Sequence, residues 1–194
     1  MTLTEPGFVP APLDLGDVRL LPWGAGLLRY APDVARIIAD EEVALWNPIR
    51  ETDPGAWILG HTADGVSGDV AGFAVLDAAS AALLGTVGLY WPNRADGQAA
   101  IGYRLLPEAR GRGVATRATA AAARWAFTAA GARRIELGHA VGNTASCRVA
   151  ERCGFPLEGT LRASHRYGDG RHHDEHLHAR LAGDPEPEPF GRAR

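Results

Sequence analysis

The chain has 194 residues, 46% of them apolar and 22% charged, with a formal net charge of −3. That is ordinary globular composition, enough for one domain whose core can bury about 70% of the unfolded surface. The mild acidic balance supplies no basic field for a nucleic-acid backbone or an anionic membrane, so neither is an expected partner.

Two cysteines, Cys147 and Cys153, are too few for a disulfide scaffold and read as free thiols. The first residues lack the basic start and apolar core of a signal peptide, and the alanine-rich stretch Ala118–Ala132 carries Arg124 and is too short to span a bilayer. The expected location is the cytoplasm. Residues 1–16, rich in Pro and Gly, are expected to form a flexible arm, 17–183 the domain, and the Pro/Glu-rich 184–194 a disordered tail.

Along the chain, Asp17–Leu21 reads as a short strand. Pro32–Trp46 reads as one helix, with Val34, Ile37, Ile38, Glu41 and Leu45 on one face and Pro48 as its stop. A second short helix is expected over Thr52–His61, then a polar turn over His61–Asp69. Val70–Leu76 and Leu83–Trp91 read as strands, the latter apolar on both faces and therefore central. Gln98–Leu106 is a further strand. The period then changes: Val114, Ala118, Ala121, Ala122, Trp125 and Ala129 form a helical stripe that ends at Gly131. Arg133–Val141 is a strand, Asn143 caps a short helix over Thr144–Cys153, and Leu157–Arg162 with Arg171–Leu181 form a terminal strand pair. The order predicts an α/β fold of the α+β kind, a mixed sheet with helices on both faces.

The most informative stretch joins a strand end to the alanine-rich helix: Arg110-Gly111-Arg112-Gly113-Val114-Ala115. A helix N-terminus offers unpaired N–H groups and partial positive charge, and glycine lets the backbone close on a ligand. The fitting guest is a phosphate or pyrophosphate. The Walker loop and the dinucleotide fingerprint are both absent.

These residues resemble the Arg/Gln-x-x-Gly-x-Gly/Ala loop of GNAT acetyltransferases. Ile101-Gly102-Tyr103-Arg104-Leu105 resembles the strand before that loop. Asn143-Thr144-Ala145-Ser146 with Gly154-Phe155 resembles a second cofactor segment of the branch similar to ribosomal-protein N-terminal acetyltransferases, and Asp169-Gly170 resembles its final hairpin turn. The resemblance is good over Gln98–Leu181 and weaker before. It implies a single GNAT domain with a splayed central sheet, and acetyl-CoA as cosubstrate bound by Tyr103, Leu105, Leu106, Arg110, Gly111, Arg112, Gly113, Val114, Ala115, Asn143 and Ser146. The pantetheine arm would pair with the strand edge near Tyr103–Leu106.

The implied reaction is direct attack of a neutral amine on the thioester, the amine belonging to a protein N-terminus or a small molecule. Ser146 would donate to the leaving sulfur, and His139 is a candidate base. Trp46, Trp57, Tyr90 and Trp91 are candidates for the acceptor cleft. The family's acidic and tyrosine positions are filled here by Ala100, Arg117 and Ala150. Without them, a non-catalytic acyl-CoA-binding module is the alternative, and a nucleotide-binding protein a weaker one. The resemblance allows a homodimer, which no residue specifies. In a strand His172, Asp174, His176 and His178 would share one face, a metal-like pattern. Because the resemblance implies no metal, none is expected.

Overall fold

The computed structural model describes residues 10–61 and 69–187. Residues 1–9 of the expected arm, 62–68 of the expected turn and 188–194 of the expected tail lie outside the described residues. The elements run β1 (Leu13–Asp14), β2 (Val18–Pro22), α1 (Ala31–Ala39), α2 (Glu41–Trp46), α3 (Pro54–Gly60), β3 (Val70–Asp77), β4 (Leu83–Asn93) and β5 (Gln98–Leu105). Then come α4 (Val114–Ala129), β6 (Arg134–Ala140), α5 (Thr144–Arg152), β7 (Leu157–Arg166) and β8 (His172–Leu181).

The strands form one eight-stranded sheet in the order β1-β2-β3-β4-β5-β6-β8-β7. Every neighbouring pair is antiparallel except β5 and β6, which the crossover helix α4 joins in parallel. Alternation of side chains divides the sheet into two faces. On one, Phe73, Val87, Leu89 and Ile135 pack against the alanine stripe of α4 and against Ala150, Cys153 and Phe155 around α5. Ala118, Ala122, Ala123 and Ala126 are fully buried; their small side chains let α4 lie close to the strands. On the other face, Trp23, Val34, Ile37, Trp57 and Ile58 pack α1–α3 over Ala74 and Leu76. The sheet is thus covered on both sides, as expected.

Four expectations need correction. The single helix over Pro32–Trp46 breaks at Asp40, which takes an extended backbone (ψ 129°) and caps α2 by accepting from Val43 N at 2.9 Å. The continuous 3–4 spacing of apolar residues hid that break, because Asp40 lies on no apolar stripe. The arm contributes β1, Leu13 and Asp14 pairing with Leu20 and Arg19. The start of the tail is held: Asp184 Oδ2 accepts from Leu181 N at 2.8 Å, and Glu186 pairs with the buried Arg180 at 3.3 Å. The last strand pair is longer than expected, β7 reaching Arg166.

Candidate acetyl-transfer site

β5 and β6 are in register only from Gln98/Arg134 to Ala100/Glu136 and then part. β5 stays paired with β4 as far as Leu105, and β6 stays paired with β8 as far as Ala140. The gap therefore opens within the sheet, bordered by Ile101–Leu105 on one side and Leu137–Ala140 on the other. Leu106 N donates to Leu84 O at 2.9 Å, so by antiparallel alternation the polar groups of Tyr103 and Leu105 point into the gap. Two side chains reach them there: Asn47 Nδ2 donates to Tyr103 O at 3.3 Å and Arg110 Nη2 to Leu105 O at 3.0 Å. The same alternation removes Leu106 from the expected cofactor edge. Its N–H belongs to β4 and its side chain is fully buried.

The loop after β5 has the geometry of an anion cradle. Gly111 and Gly113 both take left-handed backbone (φ +71° and +72°). Gly113 is the N-cap of α4 and offers no side-chain cap, so the first-turn N–H groups are left for a ligand. Val114 and Ala115 bury their side chains and can contribute only main-chain donors.

Of the arginines, Arg112 is exposed, while Arg110 is committed elsewhere. Its guanidinium contacts Asp40 at 2.5 Å and Glu42 at 3.1 Å as well as Leu105 O, bracing α2 against β5. Burial alone would raise the Asp40 carboxyl, but its hydrogen bonds to Arg110 and Val43 outweigh that and hold it below the usual carboxylate range. Arg117, absent from the expected set, lies over the loop: Nη1 donates to Arg112 O at 3.2 Å and Nη2 to Asp17 at 3.3 Å. Its signal in the sequence was only its place one turn into α4.

Across the gap stands α5. Asn143 Oδ1 accepts from Ser146 N at 3.1 Å, a cap that leaves its amide NH2 as a donor. Tyr103 OH lies 3.0 Å from Ser146 Oγ, spanning the mouth of the gap from β5 to α5. Burial pushes the Tyr103 phenol up to about 12, so it stays protonated at neutral pH. Tyr103, Asn143 and Ser146 are therefore gathered on the α5 face.

On the opposite face a second group of side chains gathers between α2, the last hairpin and β8. Trp46, at the end of α2, packs edge-on to Tyr167 (centroids 6.0 Å) and His173 (6.3 Å). Gly168 closes the hairpin turn onto α2: its N–H donates to Leu45 O at 2.9 Å, and a Cβ there would stand 1.7 Å from Ala44 O, so only glycine permits the approach. Glu175 of β8 lies below. It accepts from Tyr167 OH at 3.1 Å and Ser164 Oγ at 2.7 Å, and the missing side chain of Gly138 leaves it room beside β6. Arg104 and Asn47 fix the far wall, Arg104 Nη2 donating to Asn47 Oδ1 at 2.7 Å. Sequence reasoning missed Glu175 because it sits within a run of histidines.

Of the four aromatics expected in an acceptor cleft, only Trp46 stands with Tyr167 and His173. Trp57 is buried against Trp23 (5.5 Å) and His61 (4.1 Å). Trp91 packs in the core on Trp125 (6.4 Å). Tyr90 is half-exposed toward the far end of the sheet, opposite Val70 and Ala100. His139 is 4% exposed, with Nδ1 2.8 Å from Ala140 O and Nε2 3.3 Å from His178 Nε2. Burial lowers its pKa, and its two ring nitrogens face Ala140 O and His178. This geometry does not support a proton acceptor for an incoming amine.

Known proteins carry the same organisation. A Bacillus subtilis (strain 168) protein named "Putative ribosomal N-acetyltransferase YdaF" is 36% identical over 92 residues, which is 47% of this chain and 50% of the relative, so the match spans about half the relative's length. The ribosomal-protein-S5-alanine acetyltransferase of Vibrio fischeri superposes with a TM-score of 0.76 at 21% identity, covering 92% of this chain and all of that one. A GCN5-related N-acetyltransferase from Brucella melitensis gives 0.72 at 26% identity, covering 91% and 81%. The family profile described as the acetyltransferase (GNAT) domain matches residues 26–156, which takes in the splayed strand, the glycine loop, α4 and α5. The chain belongs to the GNAT acetyltransferase family.

Proposed function

We propose that this protein transfers an acetyl group from acetyl-CoA directly to a primary amine, the two substrates meeting from opposite faces of the sheet. The observation that carries this is the parting of β5 from β6 after Ala100/Glu136, with a donor pair on one face and a carboxylate on the other. The diphosphate of the cofactor sits on the N–H groups that follow Gly113, with Arg112 and Arg117 as its cations. The pantetheine runs along the free edge of β5 and meets the Asn143 amide.

Tyr103 and Leu105 N–H groups donate to the thioester oxygen as charge builds on it. Ser146, backed by Tyr103 OH, donates to the departing sulfur. Full transfer of the phenolic proton is uphill, since a phenol near 12 faces a thiolate whose acid has a pKa of about 8.5. Tyr103 thus stabilises the thiolate through the Ser146 hydroxyl it donates to, and solvent supplies the proton.

On the other face Glu175, directly or through one water, accepts the proton of the attacking amine. The acceptor enters beside Trp46, Tyr167 and His173. With Asp169 tied to His173 at 2.8 Å, Glu175 and the aromatics Trp46 and Tyr167 suit a peptide N-terminus better than a polycation, in keeping with the ribosomal acetyltransferase names of two relatives. A panel of acceptors assayed for free CoA thiol tests the reading. Peptides with small N-terminal residues should turn over, and polyamines poorly. Tight acetyl-CoA binding without turnover on any amine would leave the non-catalytic module instead.

A further inference from the structure

Beside the β6 edge of the splayed gap, three imidazoles and one thiol converge between β6, β8 and α5. One ring nitrogen from each of His139, His176 and His178 and the Sγ of Cys147 all lie within 4.8 Å of one another. Strand pairing builds half of this. His139 of β6 stands directly opposite His176 of β8, and His178 follows two residues on, on the same face. Cys147, on the first turn of α5, closes the fourth side, its Sγ 4.0 Å from His178 Nε2.

The protonation pattern is informative. His139 Nδ1 is 2.8 Å from Ala140 O and His178 Nδ1 is 3.0 Å from Phe155 O. A carbonyl can only accept, so both Nδ1 atoms carry the hydrogen in the neutral rings, and both Nε2 atoms present bare lone pairs. Those two lone pairs face each other at 3.3 Å inside the protein. Such an approach is repulsive unless a cation lies between them, and a proton there would make a buried imidazolium among other imidazoles. His176 adds a buried Nδ1 that has no hydrogen-bond partner among the described residues.

We propose that His139, His176, His178 and Cys147 form a tetrahedral transition-metal site, best suited to Zn2+, that ties α5 to the β6–β8 strand pair. The dimensions fit. With Zn–N about 2.05 Å and Zn–S about 2.3 Å, a tetrahedron has N···N edges of about 3.3 Å and N···S edges of about 3.6 Å. The observed 3.3 and 4.0 Å lie within a few tenths of an ångström of these edges, and the widest separation in the group, 4.8 Å, closes by about 1 Å through side-chain rotation. Backbone carbonyls that hold the outer nitrogens are the usual second layer of such a site. Mixed imidazole and thiolate donors favour zinc over magnesium or calcium.

Four protein ligands leave no open position, so the ion is structural. It fixes the helix that presents Asn143 and Ser146 without touching substrate. The proposal departs from the metal-free expectation for the histidine run, of which only His176 and His178 take part. On binding, the imidazoles coordinate in their neutral form. The Cys147 thiol, which in the metal-free chain donates to Glu151 Oε1 at 3.7 Å, releases one proton to solvent as the thiolate forms.

The test uses the full chain without a polyhistidine tag, stripped by a chelator and dialysed. Co2+ is the spectroscopic probe and Zn2+ the competitor. One Co2+ per chain should bind, with tetrahedral ligand-field bands and a thiolate-to-cobalt charge-transfer band, and one Zn2+ should displace it. Cys147→Ser should abolish the charge-transfer band, and Cys147→Ser and His176→Gln should each weaken binding about tenfold or more. Both side chains are only partly buried, so circular dichroism should be unchanged. Zn2+ should raise the Tm of the wild type by more than that of either variant. No stoichiometric uptake of either ion, uptake without the charge-transfer band, or wild-type affinity in both variants would overturn the site. None of these readouts involves acetyl transfer, so the outcome is independent of the proposed activity.

Discussion

Gly113→Asp separates the chemistry of the glycine loop from its folding. Gly113 has φ +72° and forms the N-cap of α4, and a Cβ there would lie 3.3 Å from Arg117 Nη1. A side chain in left-handed backbone costs about 1–2 kcal/mol. Aspartate, however, tolerates that region better than most residues, is a favoured N-cap and would face the Arg117 guanidinium. The folded state should therefore lose no more than about 1 kcal/mol.

Binding should suffer much more. A carboxylate about 4–5 Å from a phosphate charge is repelled by about 3–4 kcal/mol at an effective dielectric constant of about 20. That is about a hundredfold to a thousandfold in Kd. Calorimetric titration with acetyl-CoA measures it, with Gly113→Ala as the control that carries the backbone strain without the charge. The alanine variant should stay within about tenfold of wild type, and the aspartate penalty should shrink as salt is raised. If Gly113→Asp bound acetyl-CoA within twofold of wild type, or no worse than Gly113→Ala, the diphosphate would not sit on this helix end.

Three further variants probe the rest of the site. Tyr103→Phe breaks the bridge to Ser146 and should lower kcat about tenfold or more with little change in acetyl-CoA affinity, measured by steady-state kinetics beside direct titration; equal losses in both would make the pair a cofactor anchor only. Glu175→Gln should cut kcat about a hundredfold while leaving acetyl-CoA binding intact, and an unaffected rate would remove it as the proton acceptor. Asp40→Ala removes the α2 cap and the Arg110 pair, and should cost about 2 kcal/mol, seen as a Tm lower by about 4–8 °C at pH 7. Because the folded Asp40 pKa is depressed, that contribution is complete above the unfolded value of about 3.9 and fades as pH falls through the folded one, so the two melting curves should converge only in acid.

What the sequence made legible was whatever depends on neighbours along the chain. The change from strand to helix period at Val114, the glycines before it and the Asn143 cap are local, and all three lie where expected. What escaped depends on pairings across the fold. Arg110 reads as a phosphate ligand until Asp40, which is 70 positions away, claims its guanidinium. Glu175 looks like one more polar residue of a histidine-rich strand until Tyr167 and Trp46 fold over it. Trp57 and Trp91 look like cleft aromatics until the two faces of the sheet are sorted, and both then prove to be core.

The alternation of β8 settles the most consequential of these assignments. Its odd positions His173 and Glu175 face α2, whereas His176 and His178 face α5. A one-residue slip of β8 against β6 would exchange these sets, placing imidazoles in the acceptor cleft and a carboxylate beside Cys147. The register is held at its far end by Leu181 opposite Arg134 and by the buried Ala179, and beside Glu175 by Gly138, whose missing side chain leaves it room. One strand therefore serves two sites whose chemistries do not mix, and the pleat is the partition between them. That arrangement explains why a run of four histidines within seven residues need not form one site: His173 falls on the α2 side of the sheet, and His176 and His178 fall on the α5 side.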